Sequence, residues 1–226
     1  MSVIVIIPAR YASTRLPGKP LLAETGKSLI QHVVEAARGA KRAERVVVAT
    51  DDRRIFDAVT GFGGEAVMTG ESCRTGTDRL AEAAGALGLD DGAIVVNVQG
   101  DEPEMPPECI DRLVELLEAS GAPMATLAAP LPADEAGDPD KVKVVVSAGG
   151  RALYFSRAPI PFDRAGAGRG EYLLHLGIYA YRKKFLVEFA AMARTPAEQA
   201  EKLEQLRALE NGRAIAVAVV NRPHPE

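Results

Sequence analysis

The chain has 226 residues, 47% of them hydrophobic and 26% charged, with a formal net charge of −4. That is enough to bury a full core as one large domain or a domain with an appendage, while the acidic balance argues against non-specific binding to nucleic acid. No segment approaches the apolar length of a membrane span, and an apolar start broken by Pro8 and Arg10 is too short for a signal peptide.

Val3 to Ile7 is a run of β-branched residues and predicts a short buried strand that Pro8 ends. The loop that follows carries Arg10, Arg15 and Lys19 among Ser13, Thr14 and Gly18. Cations, hydroxyls and a flexible glycine placed after a strand suit a polyanion, above all a nucleoside triphosphate. Ser28 is positioned to cap a helix reaching about Ala43, with Ile30, Val33, Val34 and Ala37 on one face. Arg45 to Thr50 predicts a second strand, and Asp51-Asp52 can cap the helix after it. Glu65 to Met68 reads as a short strand, and Thr77 or Asp78 opens a helix reaching about Leu87. Ala93 to Val98 is another strong strand, and Pro106 and Pro107 introduce a helix that turns Ile110, Leu113, Val114, Leu116 and Leu117 to the core.

In the second half Met124–Ala129, Lys143–Ser147 and Ala152–Ser156 are strand-like, with a Gly149-Gly150 turn between the last two. The glycine-rich DRAGAGRG follows, then a strand over His175–Tyr181, a helix from about Lys183, another over Pro196–Asn211, and a last strand over Ala214–Val220. Alternating strands and helices predict an α/β fold with a doubly wound, mostly parallel sheet and a strand-rich insertion in the second half, all within one domain, 1–226. Ligands of such sheets sit at the carboxyl ends of the strands. Cys73 and Cys109 have no metal-ligand spacing and read as reduced thiols of a cytoplasmic protein.

The motifs lie where that fold would put a ligand. Gln99-Gly100-Asp101-Glu102-Pro103 directly follows a buried strand, and Asp101 there is a candidate ligand for Mg²⁺, which is often held by one or two carboxylates plus substrate phosphates. Thr75-Gly76-Thr77-Asp78-Arg79 marks a helix start whose amides and hydroxyls can bond a base, ribose or phosphate, although helix capping alone is the commoner role. Arg157 ends a strand beside the glycine-rich loop and can grip an anion. By default His175 is a structural histidine, and Glu204 a solvated helix residue paired with Arg207 or Lys202.

Taken in order, IIPARYASTRLPGKPL, VVVATDD, TGTDRLAEA, VVNVQGDEP, MATLAAP, VKVVVS, ALYFSRAPIP, HLGIYAYR and LEQLR resemble the cytidylyltransferases that make CMP-Kdo (Kdo, 3-deoxy-manno-octulosonate). The resemblance implies a Rossmann-like fold of the nucleotide-diphospho-sugar transferase type, divided into a nucleotide-binding half (1–120) and a sugar-acid-binding and dimerisation half (121–226). It implies transfer of a cytidylyl group from CTP to Kdo for lipopolysaccharide synthesis, in a cytoplasmic homodimer using Mg²⁺. By resemblance, Ala9, Arg10, Ser13, Arg15, Lys19, Thr75, Gly76 and Asp78 bind the nucleotide, and Arg10, Lys19 and Asp101 are catalytic. Asp101 holds the metal, and Gln99, Arg157, His175, Tyr179 and Glu204 surround the sugar acid. The family continues past its last strand into a GVDTPEDL-type segment whose Asp is a second metal ligand. Here AVAVVNRPHPE stands instead, with His224 and Glu226 the nearest candidates. This leaves open a truncated chain, a compromised CTP- and sugar-acid-binding homologue, or an acceptor such as 8-amino-Kdo.

Overall fold

A computed structural model of the protein describes residues 1–12, 16–164 and 171–221. They form two compact units, Met1–Val114 with Ile178–Ala190, and Glu115–Gly177 with Ala191–Glu226. The chain thus returns to the first unit after the second has begun, rather than dividing once near residue 120.

In the first unit β1 (Val3–Ala9), β2 (Arg45–Thr50), β3 (Glu65–Met68) and β4 (Ile94–Asn97) alternate with α1 (Leu29–Arg38), α2 (Arg53–Gly61) and α3 (Gly76–Ala86). The strands lie in the order β3-β2-β1-β4, all neighbours parallel. The aliphatic runs that predicted β1, β2 and β4 are buried on both faces, with Val5, Ile6, Val48 and Val95 closed to solvent, as a parallel sheet between helices requires, while the edge strand β3 is only partly covered. The last strand of this unit is the second half of β8 (Tyr172–Arg182), antiparallel to β4 through pairs such as Asn97↔Tyr179. The helix α4 (Pro107–Ser120) begins in this unit, and α5 (Lys183–Ala191) follows β8.

Three boundaries here differ from expectation. Pro8 lies inside β1, paired with Ala49 of β2. The pairing with β4 has already stopped at Ile6↔Asn97, so proline's missing N–H falls where one neighbour is absent. α1 ends at Arg38 instead of near Ala43, because the Asp111 carboxylate accepts from the amides of Lys41 (3.1 Å) and Arg42 (2.8 Å) and draws them out of the helix. α3 starts before Thr77. Thr75 is its N-cap, accepting from the Asp78 amide at 3.1 Å, while Asp78 accepts from the Thr75 amide at 3.2 Å. Of two good caps in one motif, the reciprocal capping box selects the earlier.

The second unit is strand-rich. β5 (Met124–Leu131) lies between β8 and β9 (Ile215–Val219), parallel to β9. β6 (Lys143–Val146) and β7 (Ala152–Ser156) form an antiparallel hairpin, closed by the Gly150 amide on Ser147 O at 2.9 Å. The predicted helix over Pro196–Asn211 is two short helices, α6 (Pro196–Glu201) and α7 (Leu206–Glu210). Lys202 breaks them apart in the left-handed region at φ 56°. The buried Glu198 and Arg207 bridge that break, with Arg207 Nε and Nη2 donating to the carboxylate at 2.8 and 2.6 Å. A buried ion pair across the joint fixes its geometry, and losing one partner from such a pair is strongly destabilising.

Candidate active site

The first unit carries a cleft at the carboxyl ends of β1 and β4. These strands are parallel neighbours, so the loops leaving them come together. The cleft has a volume of 170 Å³ and is lined by Pro8, Ala9, Arg10, Lys19, Pro20, Gln99, Gly100 and Asp101. Gly100 is required there: a Cβ on it would stand 2.9 Å from Pro8 O, so only glycine lets the two loops approach. Lys19 sits in a single 3₁₀ turn, Lys19–Leu21, and its Nζ donates to Asp101 Oδ2 at 2.9 Å. Both groups are about half exposed and remain open to an incoming ligand. Arg10 reaches the same cleft with its Nη2 buried and, among the described residues, without a hydrogen-bond partner. A buried guanidinium nitrogen lacking an acceptor is a costly arrangement, and an anion in the cleft relieves it.

The sequence-predicted residues divide between the units. Ala9, Arg10, Lys19, Gln99 and Asp101 converge on the cleft. Gly76 stands beside Pro8, with 3.6 Å between its would-be Cβ and the ring. Thr75 and Asp78 direct their side chains into the α3 cap, leaving backbone and helix dipole as what they can offer a ligand. Tyr179 lies opposite Asn97 at the end of β4, and its ring stacks on Tyr181 at 5.9 Å. Ser13, Arg15, His224 and Glu226 lie outside the described residues.

Arg157, His175 and Glu204 belong to the second unit. Arg157 is held from several sides: Nε donates to Glu201 O at 2.8 Å, Nη1 to Pro139 O at 2.8 Å, and its amide to the Glu201 carboxylate at 2.9 Å. Its carbonyl accepts from the fully buried Lys143 at 2.6 Å. Glu204 accepts from Arg207 Nη2 at 3.2 Å, the default pairing for that residue. His175 is partly exposed as a residue, but its ring is enclosed. Phe155 meets it edge-on at 5.0 Å, and Nε2 shares a hydrogen bond with Thr126 Oγ1 at 3.1 Å.

Burial pushes the His175 imidazole down from 6.5 to about 3, so it is a neutral hydrogen-bonding group rather than a cation. This has a consequence for stability. Below pH 6.5 the unfolded chain takes up a proton that the folded imidazole refuses until about pH 3. Stability therefore falls with acidification across that window, by at most about 1.4 kcal/mol per pH unit from this group. Urea unfolding from pH 7 to pH 4.5 should show a shallower decline in His175→Asn than in the parent. Parallel profiles would mean that the ring protonates freely in the folded state.

Two features escaped the sequence reading. Asn97 ends β4 buried, with Oδ1 lacking a partner among the described residues, and a polar residue inside VVNV was the available signal. Arg54 lies over the ring of Tyr11 in the loop after β1, and nothing in its position at a helix start marked it. Cys73 and Cys109 are buried and unpaired. Burial and the Glu82 carboxylate push the Cys73 thiol up to about 11, so it stays protonated. Among the described residues no His, Cys, Asp and Glu side chains gather as a metal cage. Asp101 stands in the cleft as a single half-exposed carboxylate.

Comparisons with known proteins identify the family. A cytidylyltransferase family model matches residues 4–215. The 3-deoxy-manno-octulosonate cytidylyltransferase of Desulfatibacillum aliphaticivorans is 51% identical over 228 residues, covering 100% of this chain and 93% of its own. That of Syntrophobacter fumaroxidans is 53% identical over 222 residues, covering 97% and 89%. Among solved structures, a CMP:2-keto-3-deoxy-manno-octonic acid synthetase complexed with CTP matches with a TM-score of 0.93 at 44% identity, covering 98% of this chain and 91% of that one. A 4-diphosphocytidyl-2C-methyl-D-erythritol synthase, at 14% identity and a TM-score of 0.63, shares the fold. With about half of its residues identical to these relatives over nearly its whole length, the chain belongs to the 3-deoxy-manno-octulosonate cytidylyltransferase family.

Proposed function

We propose that the protein transfers the cytidylyl group of CTP to Kdo, giving CMP-Kdo and pyrophosphate. The observation that carries this reading is the Arg10 Nη2, buried and unpartnered among the described residues, in the same cleft as the Lys19–Asp101 pair. Relatives that are about half identical over nearly the whole chain bear the name of this activity, and the matching structure is one complexed with CTP.

In this reaction the anomeric hydroxyl oxygen of Kdo forms a bond to the α-phosphorus, the bond from that phosphorus to the bridging oxygen breaks, and pyrophosphate leaves with the electron pair. The hydroxyl proton passes to solvent. Negative charge spreads over the phosphate oxygens in the transition state, so positioning and fixed positive charge supply most of the rate. Arg10 offers a planar fork of donors to phosphate oxygens, and Lys19 offers a mobile point charge. Asp101 would hold Mg²⁺ together with phosphate oxygens and water, and the ion when bound supplies further charge neutralisation. Lys19, which pairs with Asp101 at 2.9 Å in the protein alone, is the cation that would turn to the triphosphate.

The proposal extends to the acceptor. Gln99 lines the cleft, and Arg157, His175, Tyr179 and Glu204 are assigned to Kdo by resemblance. Burial keeps His175 neutral, which makes it a reader of a hydroxyl group, not of the carboxylate. A cytoplasmic homodimer belongs to the same proposal. In the second unit Leu153, Phe162 and Val219 remain exposed, an apolar surface of the kind a partner subunit covers. Among the described residues no helix is long and apolar enough to cross a membrane.

Pyrophosphate release from purified protein with CTP, Kdo and Mg²⁺, each omitted in turn, tests the reading. Release that requires all of them is expected. Release without Kdo, or none despite saturable CTP binding, overturns it.

A further inference from the structure

Arg10 and Lys19 are brought to one cleft by a loop whose ends are closed on each other. Tyr11 directly follows Arg10, and Gly18 directly precedes Lys19. The Gly18 amide donates to Tyr11 O at 2.9 Å. Gly18 sits in the left-handed region at φ +72°, and a Cβ on it would stand 3.1 Å from Cε2 and Cζ of the Tyr11 ring. The ring therefore lies directly on the glycine, and its placement sets where both cations emerge.

That ring is held from outside the loop. The Arg54 guanidinium carbon lies 3.3 Å from the Tyr11 ring centroid. Arg54 is itself fixed by a two-point pair, Nε on Asp52 Oδ1 at 3.0 Å and Nη2 on Oδ2 at 2.7 Å. Asp52 Oδ1 also accepts the Arg54 amide at 2.9 Å as the N-cap of α2, and the guanidinium holds that carboxyl below its ordinary range. A planar guanidinium locked by a carboxylate and stacked on an aromatic face is a rigid contact. The Arg54 side chain is 60% exposed, so its ion pair contributes little to global stability. Its effect falls on the loop.

We propose that Arg54 is a positioning residue for nucleotide binding: clamping Tyr11 against Gly18, it presets the spacing of Arg10 and Lys19 before CTP arrives. This rests on the reading of the cleft as the CTP site. Without the clamp, the cost of fixing Arg10 and Lys19 in place falls on binding. Bound substrate and transition state need the same spacing of these two cations, so the loss appears in KM and not in kcat.

Arg54→Ala is expected to raise KM for CTP about tenfold, the scale of a well-formed cation–π contact, with kcat within about twofold and an unchanged melting temperature. Arg54→Lys retains charge but not the planar fork and should lie nearer Arg54→Ala than the parent. Tyr11→Phe keeps the ring face and should behave as the parent, whereas Tyr11→Leu should match Arg54→Ala. The double variant Tyr11→Leu/Arg54→Ala should be no worse than either single change. Asp52→Ser preserves a helix cap while freeing Arg54, and should also raise KM. An unchanged KM in Arg54→Ala, or additive losses in the double variant, overturns the proposal. CTP affinity measured without Kdo on the same proteins separates the two readings. A parent that binds CTP but turns nothing over refutes the proposed reaction, while the affinities still report on the clamp.

Discussion

Replacing Asp101 with asparagine is expected to cut pyrophosphate release by on the order of 10²–10³-fold, the penalty seen when one preorganised electrostatic partner of a transition state is lost. Asparagine keeps the size and one oxygen of aspartate but not its charge, and a hard divalent cation binds charged oxygen far better than a neutral amide. The fold should be indifferent to the change. Asp101 is 56% exposed and its partner Lys19 41%, and ion pairs this exposed are worth about 0–1 kcal/mol. The diagnostic result is a large fall in turnover, partly recovered by raising Mg²⁺, at an unchanged melting temperature. Normal turnover would remove Asp101 from the chemistry. A parallel fall in turnover and melting temperature would make it a structural residue.

The cleft was legible in the sequence to the extent that each of its parts follows a strong strand signal. VIVII and AIVVNV predicted parallel neighbours, and the basic loop after one and Asp101 after the other had then to meet at the same sheet edge. The legible part is local. The antiparallel return of β8 beside β4 was not, because strand order depends on which apolar faces find each other across the chain. Pro196–Asn211 read as one helix because helical periodicity continues through it. The break at Lys202 is stabilised by Glu198 and Arg207 pairing across the joint, a contact invisible to a local pattern. Arg54 was unreadable for the same reason. Its partner Tyr11 lies in another loop, and at the start of α2 an arginine after a capping aspartate has an ordinary solvated explanation. His175 was read by default as structural, and its enclosure by Phe155 and Thr126 explains how it can stay neutral without losing its hydrogen bond.

Arg10→Met is expected to move stability and nucleotide affinity in opposite directions. In the protein alone, Arg10 Nη2 is buried without an acceptor among the described residues, and an unsatisfied buried donor costs about 1–3 kcal/mol. Methionine keeps an unbranched stem of similar reach, fills the same space and removes the donor. The residue is partly exposed, so the gain is toward the low end of that range, about 1 kcal/mol in urea unfolding. For CTP the sign reverses. Losing charge-assisted hydrogen bonds to phosphate, each worth about 1.5–3 kcal/mol, weakens binding on the order of 100-fold. At a CTP concentration of about 100 times the parent's Kd, the ligand stabilises the parent by about 2.7 kcal/mol and such a variant by about 0.4 kcal/mol. The order of unfolding midpoints should therefore invert: variant above parent without CTP, parent above variant with it. A variant that is less stable without CTP means that Nη2 is satisfied in solution. Equal stabilisation of both proteins by CTP takes Arg10 out of the triphosphate site. The inversion, if found, identifies the unpaired guanidinium as a cost the folded protein carries in order to hold its nucleotide.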